Sequence, residues 1–222
     1  MLVRLDSTPP PVDAPGPPPD ASREGPSAAR TDLAVAETVV GPDGIRRPTW
    51  ADRGEGVRAY FDDEWGRPVR TESSLLELLV LLGFAGGLTW AAVLARREAL
   101  REAFAGYDAD VLAEYGEDEV ERLVEDERLI RNAHKIRAAI TNARATRDLR
   151  VAGGLPDLVW GAVAHETGSA ALELTAIPRS DARSAALAAE MREAGFARIG
   201  PVTAQSLLLA SGALPVRRTG RD

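Results

Sequence analysis

The segment with the most pointed chemistry lies near the C-terminus, Gly195-Phe-Ala-Arg-Ile-Gly-Pro-Val-Thr-Ala-Gln-Ser-Leu207. Gly195 suits the left-handed position that ends a helix, and Gly200-Pro201 suits the start of the next one. Ile199 can pack between the two. This is the layout of a helix-hairpin-helix element. Its exposed backbone N–H groups and the following helix N-terminus make a site for a DNA phosphate, with Gly200, Val202 and Thr203 as the expected contacts. The same layout also serves as an ordinary turn between two helices, and the segment alone leaves both readings open.

Side chains suited to acid–base or nucleophilic work are few. Asp62, Asp63 and Glu64 stand beside an aromatic block that runs from Tyr60 to Trp65. Glu64 and Asp62 are the candidates for a catalytic carboxylate, although either can equally serve to hold an Arg. Lys135 is the only Lys. It falls beside an apolar stripe and reads as a solvent or phosphate contact, not as a nucleophile. His134 and His165 read as structural or exposed. With no Cys there is no disulfide framework and no thiolate metal site.

The net charge of −7 argues mildly against a nucleic-acid partner. Residues 1–45 carry seven acids against three Arg, a balance of −4, so the rest of the chain is nearer −3. Within it, residues 128–150 hold seven basic side chains and one acid, Asp148. Such a run is either a local basic face or a solvated helix surface. No stretch approaches the ~20 apolar residues of a membrane span, and nothing resembles a signal peptide. The expectation is a soluble, cytoplasmic monomer.

The elements that must position these residues are helical. Residues 1–45, with PPP at 9–11 and 17–19, lack periodic apolar positions and read as a disordered Pro/Ala-rich tail. The ordered domain is expected over 46–222. Leu75 to Leu82 is almost wholly apolar and predicts a buried helix, capped by Thr71, Ser73 or Ser74 and ended by Gly83, Gly86 and Gly87. Thr89 predicts the cap of a helix that carries Trp90, Val93, Leu94 and Phe104. Asp118-x-x-Glu121 predicts a capping box. Leu129, Ala133, Ile136, Ile140 and Ala143 form a helical stripe, and Ser180 predicts the cap of a helix running to Ala194. Strand-like alternation is nearly absent, so the fold class is all-α.

Four separated blocks together resemble the 3-methyladenine DNA glycosylase I family. They are Arg47-Pro-Thr-Trp50 with Tyr60-Phe-Asp-Asp-Glu-Trp-Gly-Arg-Pro68; Leu75 through Trp90 and on to Arg97; Leu129-Ile-Arg-Asn132 with Lys135-Ile136 and Asn142-Ala-Arg144; and the hairpin, preceded by Ile177-Pro178. They span about 46 to 214. The resemblance implies a helix-hairpin-helix glycosylase-like fold that binds double-stranded DNA carrying an alkylated base and cleaves its N-glycosidic bond. Such an enzyme extrudes the base into a pocket, where a cationic alkylated purine is held by aromatic stacking and cation–π contact. The resemblance places Trp50, Tyr60, Trp65 and Trp90 in or beside that pocket; without it they read as core aromatics. It also matches Gly86-Gly87-Leu88 to a loop that approaches DNA. Gly87 and Leu88 are then DNA contacts, with Leu88 able to wedge where the base leaves.

The chain departs from that family at two places. The family's zinc site falls here on Pro48, Phe61, Arg217 and Arg221, none of which suits zinc, so no cofactor is expected. The family's Glu that recognises the damaged base is replaced by Leu82, and a neighbouring Gln by Ala85. Leu cannot accept a hydrogen bond or offset a positive charge. No Asp or Glu lies between Gly200 and Arg221 to substitute. The sequence thus supports three readings: an active glycosylase for alkylated purines such as 3-methyladenine, a weak or inactive DNA-binding relative that recognises lesions, and a helical interaction module without DNA function.

Overall fold

The computed structural model describes residues 37–164 and 171–217. Residues 1–36 of the tail expected over 1–45, together with His165 and Arg221, lie outside the described residues. The described chain is helical with two short ribbons. Strand β1 (Thr38–Val40) pairs antiparallel with β2 (Arg46–Pro48), and β3 (Leu172–Glu173) pairs parallel with β4 (Val216–Arg217). The first ribbon spans the expected boundary at 45/46 and is extended by the Thr49 N–H, which donates to the Glu37 carbonyl at 3.0 Å.

Helix α1 (Glu55–Ala59) runs into a turn of π-helix, Tyr60–Glu64, closed by the Trp65 N–H on the Tyr60 carbonyl at 2.9 Å. Helix α2 (Glu72–Ala85) is the centre of the molecule. From Leu75 onward it is apolar on nearly every side, Glu77 excepted, and is buried accordingly. Thr71 caps it by accepting from the Ser74 N–H. Gly83 does not end it. One helical Gly costs only about 1 kcal/mol, which the burial of Phe84 and Ala85 offsets, and the chain leaves the helix at Gly86.

Thr89 caps the next helix as expected, but that helix is two. Helix α3 (Trp90–Leu94) and α4 (Arg97–Ala103) are separated at Arg96, whose ψ of 6° breaks the helical run. Short α5 (Ala109–Ala113) precedes α6 (Glu117–Glu125), whose cap lies two residues before the expected one. Gly116 is that cap residue, and Glu119 reaches back to accept from the Gly116 N–H at 2.7 Å. Helix α7 (Ala133–Leu149) is capped by Asn132, so Leu129 belongs to the preceding loop. Helices α8 (Gly154–Ala164), α9 (Ala182–Glu193) and α10 (Pro201–Ala210) complete the set. Asp181, not Ser180, caps α9, and Ser184 bonds back to it.

Helices α7, α8 and α10 pack around α2, and α9 packs on α10. The basic run 128–150 turns out to be a packing seam. Arg128 pairs with Asp126 and Glu102, Arg137 with Glu117, Arg147 with Glu114, and Arg150 with Glu72 and Asp110. Arg144 donates to the carbonyls of Ala113 and Tyr115. The run therefore joins α7 to α2, α5 and α6 instead of presenting a basic face.

Candidate functional site

The π-helical turn sorts the aromatic residues into two groups. An ordinary α-helix would point Tyr60 and Glu64 along one face; the extra residue per turn rotates the side chains beyond it. Phe61 and Trp65 stack with ring centroids 5.1 Å apart, and Trp50 meets both edge-on at 5.6 and 6.1 Å. Tyr60 points away from that cluster and lies against Trp90, 5.4 Å between centroids. All four expected pocket aromatics are buried. Their polar atoms are not satisfied: Trp50 Nε1, Tyr60 Oη and Trp90 Nε1 are buried without a hydrogen-bond partner. Burial pushes the Tyr60 phenol well above its ordinary range, so it remains a hydrogen-bond donor.

Tyr60 also borders a cavity of about 310 Å³, lined further by Glu64, Ser74, Glu77, Leu78, Arg97, Arg101 and Ala210 among others. Ser74 and Leu78 are one helical turn apart on α2, and Leu82 is the next step on that face. Leu82 is buried at 2 % exposure. It stands between the cavity and the Gly86 turn, and it lies outside the cavity lining together with Trp50, Trp65 and Trp90.

Charges around Tyr60 cancel. Arg97 donates to Glu64 at 2.7 and 2.9 Å and to buried Glu77 at 2.7 Å, and Arg101 adds a bond to Glu77 at 2.9 Å. Burial opposes the Arg97 charge, but Glu77 and Glu64 outweigh it and hold the guanidinium protonated. Of the two catalytic candidates, Glu64 borders the cavity while bound to Arg97. Asp62 faces elsewhere and accepts from Arg47 Nε at 2.9 Å.

The two turns expected to meet DNA are tied to one helix. Gly87 takes a φ of +80°, exposed, and Leu88 beside it is half-buried. Lys135 is largely buried. It is 8 % exposed, and its Nζ donates to the carbonyls of Phe84 and Gly86 at 2.8 Å each. The apolar stripe that carries Lys135 brings its ammonium to the open C-terminal carbonyls of α2, which need a donor. Two turns further along α7, Asn142 Oδ1 accepts from the Ala197 N–H of the hairpin at 2.7 Å. In that hairpin Gly195 has φ +90° and the Phe196 N–H returns to the Met191 carbonyl at 2.9 Å. Gly200 offers no side chain to cap α10, so the N–H groups of Val202 and Thr203 are left for an acceptor from outside.

Sequence reasoning missed Arg97, Arg101 and Glu77, whose signal was a lone acid inside an apolar helix. It missed Gln205 too, 1 % exposed with both amide atoms unpaired. The positions aligned with zinc ligands do not fit a metal. Pro48 ends β2, Phe61 is packed between Trp50 and Trp65, and Arg217 pairs with Glu173 at 2.9 Å. No group of three or more His, Cys, Asp or Glu is gathered among the described residues.

The methyladenine glycosylase family model matches residues 50–217. The chain is 36% identical over 170 residues to DNA-3-methyladenine glycosylase 1 of Escherichia coli (strain K12), covering 76% of this chain and 91% of that protein. It is 30% identical over 155 residues to DNA-3-methyladenine glycosylase of Haemophilus influenzae, covering 69% and 84% respectively. A crystal structure of 3-methyladenine DNA glycosylase I superposes with a TM-score of 0.69 at 34% identity, over 76% of this chain and 93% of the other. On the length and identity of these matches, the chain belongs to the methyladenine glycosylase family.

Proposed function

We propose that the chain is a DNA glycosylase of base-excision repair, working as a cytoplasmic monomer, that hydrolyses the N-glycosidic bond of an alkylated purine in double-stranded DNA. The observation that carries this is the Tyr60–Trp90 pair, whose buried donors lack partners inside the protein. Buried donors without acceptors are costly, about 1–3 kcal/mol each, and a ligand with acceptor atoms removes that cost. A purine flipped from the duplex supplies both a flat face and acceptor edges. Leu88 would fill the gap it leaves, and the hairpin amides would hold the backbone. Water attacks the sugar carbon as the base departs. A cationic alkylated base is already a good leaving group, so stacking and exclusion of normal bases supply part of the rate.

Leu82 favours a second reading, a relative that binds lesions without releasing them. Asp62 and Glu64, each held by an Arg, support it as well. Free bases released from randomly methylated duplex separate the two. Release by the native protein establishes the glycosylase. Release only by Leu82→Glu means an intact scaffold with a silenced pocket and overturns the first reading for alkylated bases. No salt-sensitive duplex binding at all would favour a helical interaction module.

A further inference from the structure

We infer that Arg198 is a DNA-backbone contact, its guanidinium taking a phosphate between the hairpin and the Gly86–Leu88 turn. The inference rests on the DNA-binding part of the proposed function and adds a residue to it. Arg198 is exposed within the hairpin and has a φ of +61°, a region costly for a residue with a side chain and easy for Gly. Buried Phe196 and Ile199 on either side fix the turn that imposes it. The strain holds a cation at one place. A Cβ built on Gly86 would lie 3.9 Å from Arg198 Nη2, so the guanidinium sits against the α2–α3 turn.

That place already holds a positive charge. Lys135 bonds the Gly86 carbonyl, and burial together with the charge of Arg198 lowers its pKa. The narrow cleft that Lys135 and Arg198 share also includes Gly83, Phe84, Asn142 and Ala197, and no carboxylate lines it. Elsewhere the arginines Arg97, Arg101, Arg128, Arg137, Arg147 and Arg150 are held by acids. Arg198 has no ion pair or hydrogen bond among the described residues. Two neighbouring cations without an acid repel each other, and an anion between them reverses the sign of the interaction. A guanidinium matches two phosphate oxygens at once. The open N–H groups of Val202 and Thr203 stand four and five residues further along, within reach of the adjacent backbone.

The test measures binding of a short fluorescein-labelled duplex with a stable abasic-site analogue, over a range of salt, for native protein, Arg198→Ala, Arg198→Lys and Arg198→Gly. Arg198→Ala should weaken binding about three- to tenfold and reduce the slope of log K against log salt by ~0.9, the signature of one lost phosphate contact. Arg198→Lys should keep most of the slope. Arg198→Gly should bind as weakly as Arg198→Ala while melting at a higher temperature, because Gly relieves the left-handed strain. An unchanged affinity and slope in Arg198→Ala and Arg198→Gly overturns the inference. So does a loss of binding that merely tracks a fall in melting temperature. Native protein that binds this duplex with the expected slope yet releases no base leaves the inference standing and sinks only the catalytic reading. Native protein that does not bind duplex sinks both.

Discussion

Under the proposed function, Leu82 is the residue on which substrate choice turns. It is buried on the face of α2 that leads from the polar cavity to the Gly86 turn. Restoring an acid there tests more than activity. In the free protein, Leu82→Glu places a carboxyl in an apolar site and should cost roughly 2–4 kcal/mol of stability. Burial raises the pKa of such a carboxyl, so the loss should be small at acid pH and grow as pH rises past the ordinary carboxylate value. Urea denaturation at acid and neutral pH checks this, and a stability independent of pH would mean the carboxyl reaches solvent. Gln205 is the opposite case. Its amide is buried and unpaired, so Gln205→Met should raise the melting temperature, the removed penalty being about 1–3 kcal/mol. The four aromatics were singled out in the sequence by family resemblance. Their division into a Trp50–Phe61–Trp65 cluster and a Tyr60–Trp90 pair was not, because it depends on one π-helical turn that no apolar period announces.

Among the elements, α7 sets the distance between the two turns proposed to meet DNA. Lys135 holds the end of α2 and Asn142 holds the hairpin, seven residues apart or roughly 10 Å along the axis. Lys135→Met keeps the apolar stem but takes the ammonium from the buried Phe84 carbonyl and the part-buried Gly86 carbonyl. It should cost about 1–3 kcal/mol, with faster amide exchange confined to the Gly86–Leu88 turn. The hairpin's other helix depends on its cap. The Asp181 carboxylate, although burial opposes its charge, is held below the ordinary 3.8 by the Ser184 N–H and Arg183. Its contribution is therefore complete above pH 3.8 and fades as pH falls through the lowered value. Asp181→Ala should cost about 1 kcal/mol at neutral pH, and the gap to the native protein should narrow in acid thermal melts. Helix existence was readable at this scale, as were the caps Thr71 and Thr89, whereas Gly116, Asn132 and Asp181 were not. Helix breaks were not: Arg96 has no Gly or Pro to mark it, and the Gly83 that looked like a stop is absorbed by burial. The basic run 128–150 misled for a related reason, since its acid partners lie on and beside α2, α4, α5 and α6 and in the loop before α7.

Across the whole molecule, packing and charge close the ends of the domain where a metal does not fit. Arg47, 1 % exposed, grips Asp43 and Asp62 and so ties the β1–β2 ribbon to the π-helical turn. These bonds hold the Asp43 carboxyl far below its usual range. The β3–β4 ribbon and its Arg217–Glu173 pair hold the C-terminal side. Arg47→Ala should cost roughly 1–3 kcal/mol, less than a fully buried pair because both acids reach solvent. Exhaustive chelation should leave the melting temperature where it was. The π-helical turn has a further consequence, which concerns how this lineage can change length. One residue removed between Phe61 and Trp65 would close this wide turn to ordinary winding and leave the two rings three residues apart instead of four, so that their stack would have to be rebuilt. Substitutions at Asp63, whose side chain is exposed, should pass freely, whereas a single-codon deletion in the same stretch should be purged.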